Sequence, residues 1–176
     1  MTEDLLELRA WGARGSLPMA SPPCSKFGGN TICFEVRCGQ DVLLFDAGSA
    51  LPLAGNALLA EGKRVFHLFF SHCHYDHIMG LPFFLPLYKP DASITFWSGH
   101  LGPETTTEAM IADFMRAPFF PVGPEAFSGK TATQTFRPGQ RLSPVDGIQI
   151  QTRSLNHPGG AVGYRVDCKG KSVAMV

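Results

Sequence analysis

Short apolar stretches alternate along this chain with turn-rich connections, and their patterns predict two kinds of strand and a few helices. Leu5 to Trp11 reads as a first strand, followed by a loop rich in Gly, Ser and Pro that runs to Gly29. Thr31 to Arg37 and Val42 to Phe45 flank Cys38-Gly39-Gln40-Asp41, a hairpin-like pairing of β-rich segments around a turn. Val65 to Phe70 is apolar at every position except His67, as expected of a central strand buried on both faces. Ile94 to Trp97, Ile148 to Leu155, Ala161 to Cys168 and Ser172 to Val176 are further strands.

Helices fall between them. Leu51 to Glu61 is followed by Gly62, a common helix terminator. Pro103 to Met115 places apolar residues at 110, 111, 114 and 115, the spacing of one helix face. Gly80 to Tyr88 predicts a short helix interrupted by Pro82 and Pro86. The Pro- and Gly-rich stretch from Phe119 to Gly147 supports no assignment. Strands interleaved with helices indicate an α/β layered fold. No internal repeat or linker divides the chain, so residues 1–176 read as one domain.

The strand at Val65 to Phe70 runs into His72-Cys73-His74-Tyr75-Asp76-His77. In extended backbone, residues two apart share a side, so His72 and His74 can converge on one ion. A turn then lets Asp76 and His77 face a second. Imidazole with carboxylate suits zinc, and also manganese or iron. Cys73 and Tyr75, between the ligands, should point away. His67 sits inside the apolar strand and reads as structural, and His100 has no motif around it.

Composition narrows the picture. Hydrophobic residues make up 44% and charged residues 17%, the profile of a soluble globular chain. Fifteen Lys and Arg balance fifteen Asp and Glu, which disfavours a nucleic acid or a membrane surface as partner. No stretch approaches the roughly 18 apolar residues of a membrane span. Met1-Thr2-Glu3-Asp4 is acidic and unlike a secretory leader. The five cysteines include no C-x-x-C pair, so reduced thiols and a cytoplasmic location are expected. The Phe- and Pro-rich run from Phe83 to Phe136 reads as ordinary core ahead of a pocket or dimer interface, and a homodimer is left open.

The histidine–aspartate signature resembles that of the metallo-β-lactamase superfamily. Trp11-Gly-Ala-Arg-Gly-Ser-Leu-Pro18, Phe27-Gly-Gly-Asn-Thr31 and Leu44-Phe-Asp-Ala-Gly48 are similar to the opening of its phosphodiesterase-like branch, near the ribonuclease Z and PhnP groups. Asn156-His-Pro-Gly-Gly160 followed by Gly163-Tyr-Arg165 resembles the branch's next ligand segment. The resemblance implies an αββα sandwich and a dinuclear centre of two divalent ions, zinc foremost. His72, His74 and His157 would hold the first ion, Asp76 and His77 the second. Asp46 would orient a ligand imidazole from outside the ligand set.

The family pattern continues past a strand like Ser172 to Val176 to a bridging aspartate and a later histidine. The chain is therefore expected to be a truncated form, lacking much of the second half of the sandwich. The implied activity is hydrolysis of a small phosphodiester, such as a cyclic nucleotide, by a metal-activated hydroxide that Asp76 helps to orient. A thioester, lactone or β-lactam hydrolase is one alternative, and a metal-binding protein without turnover is another. Arg14 and Asn30 are weak candidates for phosphate contacts, with turn hydrogen bonding preferred.

Overall fold

Residues on β3 (Asp41–Phe45) and β4 (Val65–Phe70) alternate between two apolar environments, and this alternation organises the molecule. Leu44, Phe66, Leu68 and Phe70 face a helical layer, while Leu43, Phe45 and Phe69 face a second sheet. The computed structural model describes residues 6–24 and 26–176. Leu5 and the acidic Met1 to Asp4 lie outside the described residues.

The first sheet has the order β1-β2-β3-β4-β5-β6. β1 (Leu6–Gly12), β2 (Cys33–Cys38) and β3 form an antiparallel meander. β4, β5 (Ser93–Ser98) and β6 (Lys130–Thr135) then follow in parallel. Parallel pairing needs crossovers, and these put α1 (Leu51–Ala60) between β3 and β4 and α3 (Thr107–Phe114) between β5 and β6. Thr106 caps α3, its hydroxyl accepting from the Ala109 amide at 3.1 Å. The helix therefore starts four residues after Pro103.

The second sheet is antiparallel, in the order β10-β9-β8-β7. Its strands are β7 (Arg141–Leu142), β8 (Ile148–Leu155), β9 (Ala161–Cys168) and β10 (Lys171–Met175). Ile148, Ile150, Val162, Tyr164 and Val166 pack against Phe45 and Phe69 to form the inter-sheet core. Phe45, Phe69 and Trp97 stack in series, with ring centroids 5.0 and 5.3 Å apart. Two sheets with one helical layer make three of the four layers of an αββα sandwich. Among the described residues no helix contributes to the core of the second sheet.

Several expectations change in detail. Gly80 to Tyr88 is two 3-10 turns, Leu81–Phe83 and Leu85–Tyr88, because each carries a proline as its second residue, which supplies no amide to continue an α-helix. β6 and β7 lie in the stretch left unassigned. All six residues of β6 are exposed, so this edge strand carries no apolar alternation to reveal it. Phe84 and Phe96 are core, as expected for the Phe-rich run, but Phe83 and Phe119 are exposed.

The expectation of reduced thiols is corrected at one pair. Cys38 at the end of β2 and Cys168 at the end of β9 form a disulfide, with Cα atoms 6.5 Å apart, joining the two sheets. They are separated by 130 residues, so only the fold brings them together. Cys24, Cys33 and Cys73 are free. Among the described residues no helix is long and apolar enough to cross a membrane.

Candidate metal centre

The centre forms where β4 ends. His74 is extended and begins α2 (Tyr75–Ile78), a single turn that swings Asp76 and His77 round behind it. The extended part brings the His72 and His74 rings together, 4.5 Å between centroids. Cys73 and Tyr75 are exposed and lie outside the histidine cluster.

His157 arrives from the second sheet, on the turn between β8 and β9. That turn is anchored across the sandwich by the Val162 amide, which donates to the Ser71 carbonyl at 2.9 Å. The His157 ring lies 4.4 Å from that of His72 and 5.0 Å from that of His74. One nitrogen from each of His72, His74 and His157 falls within 4.8 Å of the others. Three imidazoles converging in this way fit a divalent ion such as zinc.

Asp76 and His77 stand beside this trio as a pair. Oδ2 of Asp76 is 3.5 Å from Nε2 of His77. Nδ1 of His77 is 2.8 Å from Oδ2 of Asp46, which leaves Nε2 on the side of Asp76. Asp46 itself is 5% exposed and held in a left-handed conformation, φ 62°, at the end of β3. Its Oδ1 accepts from the Ser71 amide and its Oδ2 from the Ser71 hydroxyl, both at 2.7 Å.

Ser71 is a residue the sequence reading missed. Its hydroxyl lies 2.7 Å from Asp46, 3.0 Å from Nδ1 of His72 and 3.3 Å from Nδ1 of His77, so it joins the carboxylate to two site imidazoles. Its place immediately before the first histidine was the available signal.

The electrostatics separate the histidines. Burial, then repulsion from His77, His157, His74 and His100, pushes His72 down to about 3, which keeps it neutral and ready to ligate. Burial also works against a charged His77, but hydrogen bonding to Asp46 and the charges of Asp46 and Asp76 outweigh it and raise its pKa. His100 is held down to about 4 by burial, and neither ring nitrogen has a hydrogen-bond partner among the described residues. His67 is structural, as expected, with the Trp97 indole donating to its Nδ1 at 3.3 Å.

Two weaker candidates resolve as loop supports. Asn30 accepts from the Ser49 hydroxyl at 3.1 Å. Arg14 folds back on its own loop and donates from Nε to the Leu17 carbonyl at 2.7 Å. A cavity of about 390 Å³ opens beside the centre, lined by Asp46, His72 and His157 on one side and by Phe45, Leu155 and Tyr164 on the other. That size and mix of walls suit a small organic ligand.

Comparison with known proteins agrees with this geometry. Residues 28–144 match the sequence profile of the Metallo-beta-lactamase superfamily. A ribonuclease Z of Treponema denticola is 42% identical over 52 residues, which is 30% of this chain and 17% of that enzyme. The metallo-beta-lactamase fold protein YhfI of Bacillus subtilis superposes with a TM-score of 0.68 at 18% identity, covering 96% of this chain and 60% of that one. A diphosphatase from the PhnP family superposes with a TM-score of 0.61 at 17% identity, covering 90% and 61%. The chain thus spans about three fifths of the length of these solved structures. With the profile match covering most of the chain and the converging histidines lying where the fold puts them, the chain belongs to the metallo-beta-lactamase superfamily.

Proposed function

We propose that this chain is a metal-dependent hydrolase of phosphodiesters, with small diesters such as cyclic nucleotides as substrates. The observation that carries the reading is the convergence of His72, His74 and His157 beside the Asp76–His77 pair at the mouth of a small cavity. Support for the diester class comes from the ribonuclease Z and PhnP-family diphosphatase named among its relatives. The lack of net charge favours a small substrate over a nucleic acid.

His72, His74 and His157 would hold one divalent ion, zinc foremost, and Asp76 with His77 a second. When bound, such ions supply a water of lowered pKa and neutralise charge on phosphoryl oxygens. The residues of the chain do the rest. Asp46 fixes the His77 ring through Nδ1 and so presents Nε2 to the site. Asp76, one of whose oxygens accepts no hydrogen bond among the described residues, would orient the attacking group. Phe45, Leu155 and Tyr164 keep one wall of the cavity apolar and limit the water that reaches the substrate.

The test is an activity panel on the metal-loaded chain with bis-p-nitrophenyl phosphate, a thioester and nitrocefin. Diester cleavage that EDTA abolishes and zinc restores is the expected result. Thioester or nitrocefin turnover without diester cleavage would replace the substrate class. One ion per chain with no turnover on any of the three would reduce the function to metal binding.

A further inference from the structure

A short turn in the loop after β1 reaches the site from far away in sequence. The backbone amide of Ser16 donates to Oδ2 of Asp76 at 2.7 Å, across sixty residues. Ser16 adopts φ 68°, a left-handed conformation in which a residue with a side chain is disfavoured by about 1–2 kcal/mol. Strain of this kind persists only where the surroundings impose it, and here it aims the amide at the carboxylate.

Arg14 imposes it. Its backbone amide donates to the Asn30 carbonyl at 3.1 Å, tying the turn to the loop that leads into β2. Its Nε donates to the Leu17 carbonyl at 2.7 Å, closing a ring around Ser16, and the Leu17 amide donates to the Gly15 carbonyl at 2.9 Å inside that ring. The other guanidinium nitrogens rest on the Met19 and Cys24 sulfurs, at 3.0 and 3.5 Å. All three side-chain nitrogens are thus engaged within the loop, and none faces the cavity.

The consequence falls on Asp76. Oδ2 is taken up by the Ser16 amide and faces Nε2 of His77, whereas Oδ1 accepts no hydrogen bond among the described residues. A carboxylate with one oxygen pinned and one free is set for one-oxygen coordination in a single orientation. We infer that Arg14 is a positioning residue: it braces the Gly15–Leu17 turn so that the Ser16 amide fixes which oxygen of Asp76 is offered to a metal ion. This rests on the proposed reading of Asp76 as a ligand of the second ion.

The experiment is a Co²⁺ titration of the metal-stripped chain, followed by visible absorbance and calorimetry, with Asp76→Asn defining the Asp76-dependent ion. Arg14→Ala is expected to weaken that ion about 10-fold or more while leaving the ion of His72, His74 and His157 unchanged. Combined with Asp76→Asn, it should add nothing further. Replacing the Ser16 amide by an ester, through incorporation of the α-hydroxy acid, should weaken the same ion without touching any side chain. If Asp76→Asn weakens an ion that Arg14→Ala and the ester both leave alone, the positioning role is overturned and the second-ion reading stands. Equal weakening of both ions by Arg14→Ala would show loss of fold, and the ester then decides alone. No effect of Asp76→Asn would overturn both readings.

Discussion

Asp46 and His77 are joined by a 2.8 Å contact between Oδ2 and Nδ1, although one directly follows β3, the other lies in α2, and they are 31 residues apart. This contact fixes the ring orientation of His77, so substitution of Asp46 should act through the metal rather than through packing. Asp46→Asn is expected to lower affinity for the ion held by His77 by about 10–100-fold, read by metal competition. Unchanged affinity would mean that Ser71 alone sets the ring.

His157 supplies the third imidazole and comes from the other sheet. His157→Ala should weaken the first ion by more than an outer carboxylate can, that is, by more than about 100-fold. Because His157 is exposed on its turn, the melting temperature of the metal-free chain should barely change. Calorimetric metal titration alongside thermal unfolding separates the two effects.

The metal-free chain should lose stability in acid. His72 has a folded pKa of about 3 and His100 of about 4, against an ordinary value of 6.5. Each stays neutral when folded and takes up a proton when unfolded below about pH 6.5. Their contribution is therefore complete above that pH and declines as pH falls toward 4. His77 acts in the opposite sense: its raised pKa adds stability below pH 6.5 that is lost as pH rises through its folded value. With two large downward shifts against one upward shift, melting temperature should fall between pH 6.5 and 4. His72→Gln should flatten the slope.

Burial of both His100 nitrogens without partners carries a desolvation cost of about 1–3 kcal/mol. His100→Leu is accordingly expected to leave stability unchanged or to raise it by up to about 1–2 kcal/mol in urea unfolding. A clear loss of stability would reveal a polar partner for the ring.

The bond between Cys38 and Cys168 closes most of the chain into a loop. The unreduced, denatured protein should titrate three thiols, those of Cys24, Cys33 and Cys73. Cys38→Ala with Cys168→Ala should cost about 2–4 kcal/mol. Five titratable thiols would refute the pairing.

The sequence made the local features readable and hid those created by docking. His72 to His77 could be read because strand alternation and one turn of helix place all four candidate ligands within six residues. The core strand Val65 to Phe70 was equally plain, since burial on both faces leaves a continuous apolar record. His157 emerged only through resemblance, because nothing local ties a lone histidine in a β-turn to a cluster 83 residues away. The Ser16–Asp76 contact was invisible, since a backbone amide leaves no trace in residue identity. β6 was missed because its exposed Lys-Thr-Ala-Thr-Gln-Thr run pairs through backbone alone.

His72 and His74 follow β4 of the first sheet and His157 lies between β8 and β9 of the second, so an ion held by all three would span the seam of the sandwich. Cutting the chain between Thr135 and Ile148 would leave two fragments, neither carrying a full set of three imidazoles. High-affinity zinc uptake would then return only on reassociation, making metal occupancy a sensor for the joining of two half-proteins.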